Sequence, residues 1–279
     1  MLLNGKIVVV TGASMGIGEA IAKLFAEEGA TVVLSSRDLG RAEAARARIG
    51  HPERTMAVAC DVRNREEIER LMSLTLHNFG RVDIWVNNAG YGMIDTIAEM
   101  DMEACRAMFD TNLFGALDGL QVAAAQMKRQ RGGTVINISS VAGHIPVPLG
   151  SAYGATKFAM NAVGKGARLE LLHHGVNVLT VCPGFISTDF HHNVVEGERF
   201  KNKTQRSPVR GPGPDRVARA VLRGYVKNKR EVVVPWWYRI FITLYQLWPG
   251  AVEYGLMRFR KPPEEPLATS GAGPGPAAR

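Results

Sequence analysis

Short apolar runs dominated by Val and Ile alternate along this chain with segments of helical period: "KIVVVTG" (6–12), "TVVLSS" (31–36), "TMAVACDV" (55–62), "VDIWVNNAG" (82–90), "GTVINISS" (133–140), "VNVLTVCPG" (176–184) and "EVVVP" (231–235). Runs without in-out alternation suit strands covered on both faces. Parallel strands need crossovers, and residues 16–29, 39–49, 65–79, 101–131, 152–174 and 215–228 carry helical patterns where crossovers would lie. The expected fold is α/β: a doubly wound, Rossmann-like, mostly parallel sheet of seven strands with helices on both faces.

Across 279 residues, 46% hydrophobic and 22% charged, the chain can bury a large core, which excludes a mainly disordered protein. We expect a catalytic domain over 1–234 that includes a substrate lid at 191–214, an amphipathic extension at 235–260 and a disordered Pro/Gly/Ala-rich tail at 261–279. The lid stretch shows a short helical pattern and a Pro/Gly loop, without a strand pattern, and His191 and His192 fall inside it. Cys60, Cys105 and Cys182 lie far apart and no histidine has metal-ligand spacing, so reduced thiols and no metal site are expected. The N-terminal residues lack the pattern of a signal peptide, and the expected address is the cytoplasm, with membrane association depending on residues 235–260.

"TGASMGIG" (11–18) ends the first strand and opens the first helix, where backbone N–H groups and the helix dipole can receive a pyrophosphate. Gly12, Gly16 and Gly18 permit the tight turn and close approach, with Ser14 and Ile17 beside them. At the end of the second strand Ser36 stands where an acidic residue would select NAD, and Arg37 follows, so the expected cofactor is NADP(H). Asp38 is adjacent and could pair with Arg37, weakening that preference.

Read as TGxxxGIG, this loop resembles that of the short-chain dehydrogenase/reductase family. The resemblance continues in order through "NNAG" (87–90), Asn112, Ser140, the Tyr153/Lys157 pair and "PG" (183–184), covering roughly residues 5–190. It implies that Asp61 and Val62 bracket the adenine and that Asn88, Ala89 and Gly90 line the cofactor. It also implies that Pro183, Gly184, Ile186 and Thr188 meet the nicotinamide end. By the same resemblance Asn112, Ser140, Tyr153 and Lys157 form the catalytic group, with Tyr153 and Lys157 also holding cofactor. Ser140, His144, Tyr153 and Phe185 are the residues expected to face a small carbonyl or alcohol substrate, and the family's habit implies a homodimer or homotetramer.

Tyr153 and Lys157 are spaced i, i+4 and share a helix face. Tyr153 is the candidate proton donor for ketone reduction and, as phenolate, the base for the reverse. Moving a tyrosine from about 10 to near 7 requires about 4 kcal/mol. An ammonium about 5 Å away in an effective dielectric of about 20 supplies about 3 kcal/mol, and burial opposes it. Lys157 is therefore expected to acidify Tyr153 only in part, full tuning requiring the positive ring of an oxidised nicotinamide. Ser139 neighbours Ser140 but should aim at the opposite face, and Thr156 should meet packing or a backbone carbonyl.

Residues 1–190 carry 18 Lys and Arg against 19 Asp and Glu, whereas residues 191–279 carry 16 against 7. The basic excess accompanies "PWWYRIFITLYQLWPG" (235–250) and no nucleic-acid motif, so no nucleic-acid partner is expected. Trp237, Ile240, Phe241, Leu244, Leu247 and Trp248 follow helical spacing there, over a run too short to span a bilayer. Two readings stay open: an amphipathic segment lying in a membrane interface, which would favour lipophilic substrates, or one covering the cleft and a partner subunit. A dinucleotide-binding regulatory protein without turnover is the alternative to an enzyme. A sugar-nucleotide epimerase of the family's longer branch is disfavoured, because that branch resembles this chain neither in its TGxxGxxG loop nor in its larger C-terminal domain.

Overall fold

The computed structural model describes residues 1–188, 194–197, 200 and 211–259. The anticipated sheet forms from β1 (Ile7–Thr11), β2 (Thr31–Ser36), β3 (Thr55–Ala59), β4 (Ile84–Asn87), β6 (Gly133–Ile138), β7 (Val176–Pro183) and β9 (Glu231–Val234). These seven strands are all parallel and lie in the order β3-β2-β1-β4-β6-β7-β9. The run Val8-Val9-Val10 shows why the apolar stretches are continuous. Val8 and Val10 join one core, with Phe25 and Val221, and Val9 joins the other, with Leu71 and Met127, so both faces of β1 are covered.

Helices α1 (Gly16–Glu27), α2 (Leu39–Ile49) and α7 (Pro214–Val226) belong to the first core, and α3 (Arg65–Phe79), α5 (Gly115–Gln130) and α6 (Ser151–Leu171) to the second. The chain builds outward from β1 to β3, returns to β4 and continues outward to β9. The direction of strand order reverses between β1 and β4, and a crevice opens there at the carboxyl ends of the strands.

The helix expected over 101–131 is three pieces: α4 (Met102–Phe109), a π-helical turn at Asp110–Phe114 and α5. Asn112 explains the interruption. Its Oδ1 accepts from Tyr91 N at 2.9 Å and its Nδ2 donates to Tyr91 O at 2.8 Å, which stabilises the wider turn that brings the buried side chain inward. A second sheet was not anticipated. β5 (Met93–Ile94) pairs in parallel with β8 (Val195–Glu196), so the lid stretch does contain a strand, too short at two residues to leave a periodic signal. His191, His192 and the expected tail at 261–279 lie outside the described residues.

Residues 235–259 form α8 (Tyr238–Leu247) and α9 (Pro249–Phe259), which pack on each other, and Tyr245 donates from Oη to Glu253 Oε1 at 3.2 Å. Among the described residues no helix is long and apolar enough to cross a membrane.

Candidate active site

A cleft of about 1100 Å³ runs along the carboxyl edge of the sheet from Arg37 to Tyr153. Its floor is the β1–α1 loop. Gly12 adopts φ +63°, and a Cβ there would stand 2.7 Å from Ala89 Cα, so only glycine lets the β1 and β4 loops touch. Thr11 Oγ1 donates to Val86 O at 3.1 Å and accepts from Asn88 N at 3.1 Å. Asn88 Nδ2 donates to the carbonyls of Thr11 and Gly12 at 3.0 and 2.9 Å. The Asn88 amide therefore braces the loop, while the residue still lines the cleft beside Ala89 and Gly90. Gly18 packs behind, where a Cβ would meet Asn88 Nδ2 and Gly12 O, and Gly12, Ser14, Gly16 and Ile17 face the cleft. Met15, the residue preceding α1, makes no side-chain cap, so the first amides of the helix are left to receive an anion. A glycine cradle that a Cβ would fill and a helix start without a side-chain cap fit a dinucleotide pyrophosphate.

At the far end Ser36, Arg37, Asp38 and Arg41 line the cleft. Asp38 Oδ1 accepts from Arg41 N at 2.9 Å and caps α2, while the residue also lines the cleft beside Arg37. Asp61 is turned towards Arg63, with Nε 3.1 Å from both carboxylate oxygens, and the guanidinium holds its carboxyl below the usual carboxylate range. Cys60, Val62 and Arg63 line the cleft there and Asp61 does not. Arg41 and Arg63 were missed in the sequence. Their positions, four beyond Arg37 and two beyond Asp61, were the available signal.

The other end gathers the four expected catalytic residues. Ser140 Oγ accepts from Ala142 N at 3.1 Å, lies 3.4 Å from Pro183 O and hydrogen-bonds the Tyr153 hydroxyl, a contact that favours the phenolate. Lys157 Nζ sits 5.7 Å from the centre of the Tyr153 ring and donates to Ile138 O at 3.1 Å. Asn112 is 1% exposed behind them, and a Cβ on Gly90 would lie 2.9 Å from its Oδ1 and 3.8 Å from Lys157 Nζ. Ser139 Oγ donates to Lys157 O at 3.2 Å and Thr156 Oγ1 to Tyr153 O at 2.7 Å, so both hydroxyls are committed to backbone.

The electrostatics depart from expectation. Burial pushes Tyr153 up to about 12, against the opposing effect of the Ser140 hydrogen bond, and burial pushes Lys157 down to about 8. Desolvation is the largest influence on both groups and drives both towards their neutral forms, and the effect that favours the Tyr153 phenolate is the Ser140 hydrogen bond rather than the Lys157 ammonium.

His144 does not face the cleft. Its Nε2 lies 3.4 Å from Glu231 Oε2 and 3.5 Å from Cys182 Sγ, and the Glu231 carboxyl is held below its usual range mainly by that hydrogen bond. The short 3₁₀ turn at Val141–Gly143 carries the chain round so that His144 packs over β7 and β9. Those three side chains bring ligand-type atoms within 4.8 Å of one another, a grouping invisible in their spacing of 38 and 49 residues. Pro183, Gly184, Phe185, Ile186 and Thr188 do line the cleft. So do Tyr238 and Leu256 of the C-terminal extension: the Tyr238 ring occupies the space a Gly184 side chain would need, and Tyr238 Oη accepts from Phe185 N at 3.3 Å.

Comparisons with known proteins show the family and the fold. The family model described as short chain dehydrogenase matches residues 6–199. An uncharacterized oxidoreductase of Staphylococcus epidermidis is 36% identical over 200 residues, 72% of this chain and 86% of the relative. One of Staphylococcus saprophyticus is 33% identical over 231 residues, 82% of this chain and 92% of the relative. Among solved structures, a short-chain dehydrogenase from Streptomyces avermitilis has a TM-score of 0.78 at 26% identity, covering 91% of this chain and 95% of its own. One from Burkholderia phymatum, in complex with NAD, has a TM-score of 0.81 at 24% identity, covering 96% and 99%; at that identity it speaks for the fold alone.

Proposed function

The chain belongs to the short-chain dehydrogenase family, and from that premise we propose that it is an oxidoreductase moving a hydride between NADP(H) and a carbonyl or secondary alcohol, with Tyr153 as general acid and base. The observation that carries this reading is the convergence of Ser140, Tyr153 and Lys157 on one cleft wall, with Ser140 hydrogen-bonded to the phenol and Lys157 Nζ 5.7 Å from its ring.

The Gly12–Gly18 loop and the start of α1 hold the pyrophosphate, and Ala89 and Gly90 with Pro183, Gly184, Ile186 and Thr188 line the nicotinamide half. Arg37 and Arg41 take the 2′-phosphate. Ser36 offers no carboxylate to repel it, and Asp38 is engaged as a helix cap. When bound, NADP(H) supplies or accepts the hydride. Ser140 Oγ donates to the substrate oxygen and fixes it beside the phenol. Tyr153 is held protonated and gives its proton to that oxygen in reduction; in oxidation the phenolate takes it back. Lys157 presents a cation to the phenol and holds the nicotinamide ribose, and Asn112 positions the backbone at Tyr91 on the cleft wall behind it. Ile145, Val147, Phe185 and Leu256 give the substrate end an apolar lining, which supports a lipophilic substrate.

In this reading residues 1–234 form the catalytic unit and the extension completes its cleft, within a homodimer or homotetramer. The free thiols Cys60, Cys105 and Cys182, all buried, suit a reducing compartment such as the cytoplasm.

The test is a panel of ketones, from small and polar to long and apolar, assayed with NADPH and with NADH by absorbance of the reduced nicotinamide. NADPH-dependent turnover rising with substrate apolarity is expected. Arg37→Ser should raise KM for NADPH about ten-fold or more and leave NADH nearly unchanged, the loss of one charge-assisted phosphate contact. Cofactor binding without turnover of any carbonyl would contradict the reading, and equal use of both cofactors by Arg37→Ser and the parent would contradict the role of Arg37.

A further inference from the structure

The apolar stripe of α8 faces outward. Ile240, Phe241, Leu244 and Leu247 share one side of the helix and are between 38% and 61% exposed, while Ile242 is the buried residue of that helix. Trp237 and Trp248 flank this stripe, also exposed. Large apolar side chains scattered singly on a surface need no explanation, but a whole helix face of them marks an interaction surface.

Beside this surface lies a second feature. A cavity of about 200 Å³ between α7 and β9 is lined by Arg216, Arg223, Lys227 and Lys229, with Trp236 in its wall and no carboxylate among its lining residues. Four cations beside an exposed tryptophan provide for a phosphate at the edge of an apolar layer.

We propose that α8 and α9 dock on an anionic phospholipid surface, the α8 stripe entering the headgroup region and a lipid phosphate seating in the cavity lined by Arg223 and Lys227. The ten-residue α8 is too short to cross a bilayer, so it lies along the surface. The basic excess of residues 211–259, 8 Lys and Arg against 3 Asp and Glu, complements anionic lipid. The same excess disfavours a second copy of this chain as the occupant, because an isologous contact would set the two basic rims against each other. On its inner side the extension places Tyr238 and Leu256 in the substrate cleft, so the element that meets lipid also walls the site. Docking goes beyond the proposed reaction and requires no turnover, so its failure would leave that reaction untouched.

The experiment is flotation of the full chain with vesicles of phosphatidylcholine alone or mixed with phosphatidylglycerol, with inorganic phosphate as a soluble competitor. Leu244→Glu/Leu247→Glu and Arg223→Glu/Lys227→Glu are run alongside, with thermal melts to confirm folding and light scattering to give mass. The parent should float with the mixed vesicles and not with phosphatidylcholine alone. The stripe variant should stay in solution with an unchanged melt, and the cavity variant should bind about five-fold more weakly for each basic residue lost. The proposal is overturned if the parent stays in solution with anionic vesicles, or if the stripe variant floats as well as the parent. It is also overturned if the stripe variant only lowers the assembly mass, which would make a second copy the occupant. Protection by inorganic phosphate without any flotation would make the cavity a site for free phosphate and overturn it equally.

Discussion

Lys157 is 5% exposed, and its burial moves the ammonium from 10.5 down to about 8, a depression corresponding to about 3 kcal/mol. The sign follows from the direction. A base depressed in the folded state contributes stability that is present above 10.5 and lost as pH falls through about 8, so at pH 7 the folded protein carries the cost of a buried cation. Lys157→Met should therefore raise the melting temperature of the dinucleotide-free protein at pH 7 by about 3 °C or more, less at pH 10, while abolishing turnover. Melts at the two pH values check this, and a lower Tm at pH 7 would contradict it. The sequence places Tyr153 and Lys157 on one face through their spacing alone. It does not show how deeply the pair is buried, and burial decides the sign of both shifts. His144 was misread for a related reason: its partners Cys182 and Glu231 come from β7 and β9, far along the chain.

The β1–α1 loop is the element whose shape is written most plainly in residue types. Gly12 combines φ +63° with a site where Cβ would press on the Ala89 backbone, and backbone cannot yield as a flexible side chain can. Gly12→Ala should cost about 2 kcal/mol in stability and weaken NADPH binding at least ten-fold. Denaturant unfolding and NADPH fluorescence titration read both effects, and parent-like values would remove the need for close contact between the β1 and β4 loops. The π turn at Asp110–Phe114 marks the limit of local reading. Residues 101–131 have helical composition throughout, and the widened turn depends on Asn112 meeting Tyr91, 21 residues away. The paired β5 and β8, two residues each, are likewise fixed by partners and not by pattern.

For the molecule as a whole, the parallel sheet was legible because each strand must be apolar on both faces, which leaves a mark that survives without any knowledge of partners. The cleft was legible where glycine or helix spacing carries it, at Gly12, Gly16 and Tyr153 with Lys157. It was less legible where distant elements meet: Arg63 beside Asp61, and Tyr238 and Leu256 brought in from the extension. Ile240, Phe241, Leu244 and Leu247 were legible as one helix face, with Trp237 and Trp248 lying just outside the ends of α8, but sequence cannot say which way such a face turns, and here it turns outward. The central claim is that the cleft's chemistry depends on the Tyr153 proton. Its most direct test is single-turnover reduction of a turned-over ketone by the Tyr153→Phe variant with saturating NADPH, with NADPH affinity measured in parallel. The hydroxyl is the only group removed, so the account predicts a fall of about 10²-fold or more in the rate of reduction, with NADPH affinity within a few-fold of the parent. Reduction at the parent's rate with NADPH bound as tightly would contradict it.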